Sequence, residues 1–191
     1  DGIHRLPPHM LDRVVDGLSQ GKVAGWFQGK FEWGPRALGH RSIIADPRRE
    51  AMKDVVNTKI KFREPYRPFA PSVLENRAGE FFDLPEPERH FPNRFMLYVV
   101  DVKEAAKDKL PAITHVDGSA RLQTVRQDTS PRYYRLIEKF GQATGVPVVL
   151  NTSFNLRGEP IVTSPADALN TFYNSGLDFL VLGNCIVAKE P

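Results

Sequence analysis

Hydrophobic residues recur at helical spacing in several parts of the chain. Between His9 and Gln20 they return every three or four positions, and Gly21 follows as a helix stop. The same spacing predicts five further helices, over Glu50–Thr58, Asn76–Phe82, Glu104–Leu110, Pro131–Thr144 and Pro165–Ser175. The helix beginning at Pro131 has proline at its start and Gly145 after its end, an arrangement typical of a complete helix.

Short apolar and β-branched runs between these helices predict strands. They cover Val23–Gln28, Arg41–Ala45, Ser72–Leu74, Phe95–Val102, Ala120–Val125, Val146–Leu150, Leu177–Leu182 and Ile186–Ala188. Helices and strands are interspersed without a steady alternation. This order favours an α+β fold with a mixed sheet over a doubly wound parallel sheet. The chain has 191 residues, and we expect a single domain over 1–191.

Charge and composition indicate which kind of ligand the protein binds. The net charge is +3, too small to indicate nucleic-acid binding by itself. Many cations instead lie in or beside segments rich in glycine or proline, which indicates a small anionic ligand. These cations are Arg36, Arg41, Lys59, Lys61, Arg63, Arg67, Arg121 and Arg157. The single cysteine, Cys185, lies in an apolar run and is predicted to be buried and inert.

We expect a cytoplasmic protein without a membrane span. A lone cysteine excludes an internal disulfide, and no apolar run is long enough to cross a bilayer. The N-terminal residues Asp1–Arg5 lack both an initiator methionine and the layout of a signal peptide. They are typical of the middle of a longer chain, and a processed start would have the same features.

The first segment with binding chemistry is the glycine-bearing stretch Glu32–Ser42. Gly34 and Gly39 let the backbone bend and approach a ligand, and exposed amides in such a loop can hold anionic oxygens. Arg36 and Arg41 each carry a guanidinium that can clamp phosphate or carboxylate through two hydrogen bonds. A tight turn with two surface arginines is an equally good interpretation of these residues alone.

The second segment, Lys59–Pro71, combines cations with three closely spaced prolines, which favour an extended, stiff path. On an extended chain Lys59, Lys61 and Arg63 share one side. Arg67 directly precedes a proline, so its backbone is restricted. A rigid backbone that projects cations binds anions well because little entropy is lost. A basic edge strand protected by lysine and proline is the alternative.

The third segment, His115–Val125, is predicted to be a turn followed by a strand that carries Arg121 and Gln123 on one face. His115 and Asp117 could suggest a metal or acid–base role. Two candidate ligands are too few for a metal site, so an Asx turn with a surface histidine is the better interpretation. We predict no protein metal site in the chain.

The fourth segment, Val148–Pro160, is predicted to be a buried strand that leads into a polar loop. Asn151, Thr152 and Ser153 supply hydrogen-bond donors, and Arg157 adds charge. Ser153 as an acyl nucleophile would need a base partner and usually a Gly-x-Ser-x-Gly turn, and the sequence shows neither. We therefore interpret Ser153 as a hydrogen-bonding residue, with a plain capping turn as the alternative.

Together these segments resemble the carbamoyltransferase family of antibiotic and nodulation-factor biosynthesis. The matching stretches are Glu32–Ser42, Lys61–Pro71, His115–Val125 and Pro147–Pro160, in the same order and spanning nearly the whole chain. In that family this region is the C-terminal domain, so the resemblance implies a YrdC-like fold, a mixed twisted sheet with flanking helices. Family members carry a larger actin-like domain ahead of it, which we expect this chain to lack.

The resemblance implies a two-step reaction. Carbamoyl phosphate and ATP, with Mg²⁺ arriving on the ATP, first yield carbamoyl-adenylate and pyrophosphate. A hydroxyl acceptor, unidentified by the sequence, then takes the carbamoyl group in the actin-like domain. The binding residues that carry over are Arg36, Lys61, Arg67, Arg121, Asn151 and Ser153, with Arg63 less securely matched. We expect Arg36, Lys61 and Arg67 to be catalytic. Lys59 and Arg157 are candidates on charge alone.

Two other classes of function remain open. The first is a nucleotide- or RNA-binding module without catalysis of its own, since a basic groove could accept RNA. RNA binding should depend on salt through several phosphates, whereas a mononucleotide site should not. The second is a structural domain that completes the site of its neighbour. Loss of ATP binding in this chain alone would favour that interpretation.

Overall fold

The computed structural model describes residues 8–189, and the N-terminal prediction for Asp1–Arg5 lies outside them. The helices are α1 (Pro8–Ser19), α2 (Met52–Asp54), α3 (Ala78–Phe81), α4 (Glu104–Lys107), α5 (Pro131–Thr144) and α6 (Pro165–Tyr173). None of the described helices has the length and hydropathy that crossing a bilayer requires. The predicted long helices are confirmed as α1, α5 and α6, and Gly145 ends α5 with a φ of +78°.

Within residues 8–189, seven strands form the main sheet, and two others form a small antiparallel pair. The strands are β1 (Ala24–Phe27), β2 (Arg41–Ala45), β3 (Ala70–Leu74), β4 (Val99–Asp101), β5 (Ser119–Arg121), β6 (Gln123–Val125), β7 (Val148–Ser153), β8 (Phe179–Leu182) and β9 (Cys185–Ala188). The main sheet has the order β6-β3-β7-β2-β1-β8-β9, while β4 pairs with β5. Among the described strands only β1/β8 and β3/β6 are parallel, so the sheet is mixed and the predicted α+β class is confirmed.

Hydrophobic cores cover both faces of the main sheet. Alternation along β7 sends Val148 and Leu150 into one core and Val149 into the other. The second core includes Leu18 of α1 and Phe140 of α5, so these two helices cover that face. Buried on both sides, β7 is a rigid central strand, and the polar residues at its carboxyl end are held by the sheet.

Helix α6 begins with a capping box. The Ser164 hydroxyl accepts from the Asp167 amide at 3.2 Å, and the Asp167 carboxylate accepts from the Ser164 amide at 2.8 Å. The Ser164 amide, followed by the Thr163 and Ser164 hydroxyls, lowers the pKa of the Asp167 carboxyl to about 2. Proline at the first position and this reciprocal pair explain why the helix starts where the sequence predicts.

The sequence predictions for two strands were wrong in part. The prediction over Phe95–Val102 holds only for Val99–Asp101, because a 3-10 helix occupies Phe91–Phe95 and Met96 follows with a φ of +55°. The run predicted as one strand over Ala120–Val125 is divided between β5 and β6, which belong to different sheets. The apolar residues of this run correctly predicted β-structure, but they could not show that the chain passes from one sheet to the other.

The prediction of a buried Cys185 was also wrong, since this side chain is exposed. It begins β9, which lies at the edge of the main sheet and, among the strands described, pairs with β8 alone. An outer strand buries less of each residue than a central one, so an apolar sequence there does not guarantee burial.

The segment predicted to be helical over Glu50–Thr58 and extended over Lys59–Pro71 divides at a different point. Helix α2 continues into a π-helical turn over Val55–Ile60, and Phe62 follows in the left-handed region with a φ of +48°. The prediction that Lys59, Lys61 and Arg63 share one side was therefore wrong.

Candidate active site

Two adjoining cavities gather the residues that the sequence singled out. The smaller, of about 120 Å³, is lined by residues that include Arg36, Arg63, Arg121, Asn151 and Ser153. The larger, of about 240 Å³, is lined by Lys61, Arg63, Glu64, Arg67, Ser153, Asn155, Leu156, Arg157 and Gly158. Arg63 and Ser153 line both, so the cavities form one continuous region. All seven predicted binding residues lie there, although they come from distant parts of the chain.

Lys61 lies at the centre of this region, with only 5% of its surface exposed. Its Nζ lies 2.7 Å from the Ser153 carbonyl oxygen, 3.2 Å from Ser153 Oγ, 2.9 Å from the Asn155 carbonyl oxygen and 2.6 Å from Asn155 Oδ1. Burial, followed by repulsion from Arg63, lowers the pKa of Lys61 to about 7, while Glu159 acts in the opposite direction. A nearby anion would favour the protonated form of this lysine and raise its pKa.

Asn155 is a site residue that the sequence analysis missed. It lines the larger cavity, accepts from the Ser153 hydroxyl at 2.7 Å and donates to the Glu159 carbonyl oxygen at 2.7 Å. The available signal was its position two residues after Ser153, just beyond the strand. Contacts with Lys61 could not be foreseen, because they join residues about ninety positions apart.

A buried asparagine holds the turn that carries the arginines of the second segment. Asn57 Nδ2 donates to the Pro65 carbonyl oxygen at 3.2 Å and to the Arg67 carbonyl oxygen at 3.1 Å, while Arg63 Nε donates to Asn57 Oδ1 at 2.7 Å. Burial, followed by Arg67, lowers the pKa of Arg63. The turn thus holds two like charges close together, which favours binding of a polyanion.

Glu32 organises the loop that carries Arg36. Its carboxylate accepts from the amides of Leu38 at 2.7 Å, His40 at 3.1 Å and Arg41 at 3.1 Å. The expectation that Arg41 clamps an anion was wrong: it is 3% exposed and donates to the Gln28 carbonyl oxygen at 2.7 Å. Arg41 is therefore a structural residue, while Arg36 remains at the smaller cavity.

A buried polar network ties the same loop to the sheet. Asn151 Nδ2 lies 3.1 Å from the Ala37 carbonyl oxygen, 3.0 Å from Ser72 Oγ and 2.9 Å from Gln123 Oε1. Gln123 Nε2 donates to the Leu38 carbonyl oxygen at 2.8 Å, and Ser72 Oγ donates to Gln123 Oε1. Three strands, β3, β6 and β7, thereby fix the backbone next to Arg36.

The remaining candidates have different surroundings. Burial, followed by repulsion from Arg36, lowers the pKa of Arg121, and Arg121 Nε has no hydrogen-bond partner among the described residues. The predicted Asx turn is confirmed, since the Ser119 amide donates to Asp117 Oδ1 at 3.0 Å. Lys59 is exposed on the π-helical turn and lines neither cavity. Within residues 8–189, no group of three or more His, Cys, Asp or Glu side chains could hold a metal ion.

A third cavity, of about 480 Å³, lies apart from these two, at the start of α5. Its lining includes Arg132, which donates to Gln28 Oε1 at 2.7 Å, and three glycines. We place the site at the two adjoining cavities, which together are smaller than this one but are lined by cations. Positive charge that neighbouring acids do not neutralise indicates an anionic ligand, whereas cavity volume alone does not. Six cations line that pair, and Glu64 is the single acid among the lining residues.

Known proteins share this architecture. Full-length HypF superposes with a TM-score of 0.61 at 16% identity, over 91% of this chain and 25% of HypF. Sua5 from P. abyssi superposes with a TM-score of 0.60 at 13% identity, over 99% of this chain and 58% of Sua5. Both have YrdC-like domains, so the predicted YrdC-like fold is confirmed.

Sequence comparisons identify the family. Nodulation protein NolNO of Sinorhizobium fredii is 52% identical over 95% of this chain and 26% of its own length. The 3′-hydroxymethylcephem-O-carbamoyltransferase of Amycolatopsis lactamdurans is 39% identical over 91% of this chain and 32% of its own length. The chain thus spans about a quarter to a third of these relatives. The family model described as "Carbamoyltransferase C-terminus" matches residues 15–189, and the chain therefore belongs to the carbamoyltransferase family.

Proposed function

We propose that this chain binds ATP and carbamoyl phosphate and forms carbamoyl-adenylate for an O-carbamoyltransferase. The observation that carries the proposal is the group of six cations around two adjoining cavities, with Lys61 buried among them. Fixed cations are what this reaction needs, because the triphosphate and carbamoyl phosphate are both polyanions that repel each other. Preorganised positive charge reduces that repulsion and stabilises the charge that develops in the transition state.

The proposed chemistry needs no catalytic histidine or cysteine. Water first converts carbamoyl phosphate into carbamate and inorganic phosphate. A carbamate oxygen then attacks the α-phosphorus of ATP, forming one P–O bond while the bond to the pyrophosphate oxygen breaks. The products are carbamoyl-adenylate, phosphate and pyrophosphate. In this scheme Arg36, Lys61 and Arg67 neutralise the anionic groups. Ser153, whose hydroxyl donates to Asn155 Oδ1 in the unliganded chain, turns to donate to the ligand instead.

Mg²⁺ would enter this site with the nucleotide. Its preferred ligands are oxygens, and phosphate oxygens together with water can fill most of its coordination sphere. The polar residues that line the two cavities are mainly cationic or amide-bearing, and Glu64 is the single carboxylate among the lining residues. We therefore assign the metal's coordination to the triphosphate and give the protein the task of binding the phosphates.

Transfer to the hydroxyl acceptor would take place outside this chain. The sequence relatives are three to four times longer, which supports a preceding domain in the same polypeptide. By the resemblance, that domain is actin-like and recognises the acceptor.

The proposal is tested by incubating the chain with ATP, Mg²⁺ and carbamoyl phosphate. We expect pyrophosphate release that depends on carbamoyl phosphate, with carbamoyl-adenylate detected by mass spectrometry. Arg67→Ala should reduce the rate, whereas Lys59→Ala, which removes an exposed cation that lines neither cavity, should not. Pyrophosphate release that Arg67→Ala leaves unchanged would contradict the assignment, as would binding with the salt dependence of an RNA ligand.

A further inference from the structure

Glu64 is the single acid among the described residues that line the larger cavity, and the role proposed above for the cations leaves it unexplained. Its Oε2 atom lies 2.9 Å from Arg67 Nε, on the same turn. Its own backbone amide, followed by the charge of Arg67 and, more weakly, that of Arg157, lowers the pKa of the Glu64 carboxyl. The carboxylate is therefore ionised at neutral pH and lies among cations.

The position of this carboxylate is one that a phosphate group would take. Arg63, Arg67 and Arg157 all line the larger cavity, and the charge of Glu64 acts on each of them. Guanidinium groups bind carboxylate and phosphate oxygens in the same way, through charged hydrogen bonds. A phosphate that binds Arg67 through Nε must therefore displace Glu64 or lie beside its negative charge.

The carboxylate is free to move, whereas the turn that carries it is fixed. The side chains of Arg67 and Glu64 are 52% and 39% exposed, and an ion pair with this much exposure is weak. The backbone of the turn is held without the carboxylate. Asn57 Nδ2 donates to the carbonyl oxygens of Pro65 and Arg67, and the Arg67 amide donates to the Glu64 carbonyl oxygen at 3.2 Å.

We propose that Glu64 is a displaceable counter-ion, which takes the place of a phosphate group beside Arg67 until a ligand binds and so weakens the binding of small phosphates such as pyrophosphate. A nucleotide can make further contacts through its nucleoside, whereas pyrophosphate is held by its charges alone. Glu64 is therefore a specificity-determining residue that disfavours retention of the released pyrophosphate. The inference rests on the proposed function, and it adds a residue that the reaction scheme does not use.

The test is calorimetric titration of the chain with metal-free inorganic pyrophosphate. Glu64→Gln should bind pyrophosphate about 3- to 10-fold more tightly than the parent, because it removes one negative charge beside a multiply charged ligand in a solvated cavity. MgATP should gain only about twofold or less, since Mg²⁺ offsets part of the phosphate charge. Loss of a purely structural residue would weaken binding, so a gain in affinity distinguishes the two roles.

Two controls separate displacement from a general effect of charge. In an Arg67→Ala background, Glu64→Gln should change pyrophosphate affinity by less than about twofold, because the contact for which the two anions compete is absent. Glu80→Gln removes a carboxylate from another exposed pair, with Arg77 three positions away, and Glu80 lines neither cavity. This variant should bind pyrophosphate as the parent does. Glu64→Ala removes the same charge as Glu64→Gln and should give the same gain.

The outcomes separate this inference from the function on which it rests. If Glu64→Gln and Glu64→Ala bind pyrophosphate no more tightly than a parent that binds MgATP, the role of Glu64 is overturned and the nucleotide site stands. An undiminished gain in the Arg67→Ala background, or an equal gain from Glu80→Gln, would also overturn it. A parent that is folded by circular dichroism but binds neither pyrophosphate nor MgATP would overturn the proposed function and the inference together.

Discussion

The lowered pKa of Lys61 makes ATP binding dependent on pH. In the unliganded chain Lys61 has a pKa of about 7, so its side chain is about 90% neutral at pH 8 and about 10% neutral at pH 6. A bound triphosphate favours the ammonium form and raises this pKa. Binding therefore takes up a proton between pH 7 and the higher pKa of the complex, and affinity falls as pH rises through that window.

The size of the effect follows from the same pKa. Binding should take up about 0.9 proton per ATP at pH 8 and about 0.1 at pH 6, and affinity should fall about tenfold between these values. Calorimetry in buffers of different ionisation enthalpy measures the proton count directly. Saturating Mg²⁺ keeps the protonation of ATP the same for all variants.

The matched control is Lys61→Arg, because a guanidinium stays charged throughout this pH range. Its complex should show almost no proton uptake attributable to position 61. If the parent and Lys61→Arg take up equal numbers of protons at pH 8, then either the triphosphate does not contact Lys61 or the pKa of Lys61 is not lowered.

Three further predictions concern the loop and the fold. Gly39→Ala should lower the free energy of unfolding by about 3 kcal/mol or more, since the φ is +106° and the new Cβ would lie 2.2 Å from the Tyr133 ring. Gly34→Ala, with a similar φ but open space, should cost only about 1–2 kcal/mol, and equal costs in urea denaturation would argue against the clash. Glu32→Gln should cost about 1–3 kcal/mol in the same assay, because an amide cannot replace both carboxylate oxygens as acceptors. Cys185 should react with a thiol reagent without denaturant, and reaction only after unfolding would contradict its exposure.

Helices and strands that are marked by residues next to each other in the sequence were predicted correctly. Helix α5 has proline at its start and glycine after its end, and β7 begins with the apolar run Val148–Leu150. The strand extends to Ser153, three residues beyond the prediction, because polar residues can belong to a central strand when their side chains are satisfied. Asn151 achieves this through Nδ2, which contacts three oxygens from distant segments.

The parts that sequence could not predict depend on contacts between distant residues. The π-helical turn over Val55–Ile60 places Lys61 inside the site, and no spacing rule distinguishes it from an ordinary helix followed by an extended segment. Asn57 and Asn155 are isolated asparagines in the sequence, and their roles become visible only when their partners are close. Six of the eight cations predicted from their position in glycine- and proline-rich segments line the two cavities, whereas Arg41 and Lys59 do not.

Calorimetric titration with ATP and Mg²⁺ measures whether this chain by itself contains the ATP site. We expect saturable binding with one site per chain, weakened about 10-fold or more by Arg67→Ala and also by Ser153→Ala, through loss of a charged and a neutral hydrogen bond. Absence of binding by a parent chain shown to be folded would contradict this expectation. The ATP site would then require the longer polypeptide of the relatives, with this chain as a structural domain within it.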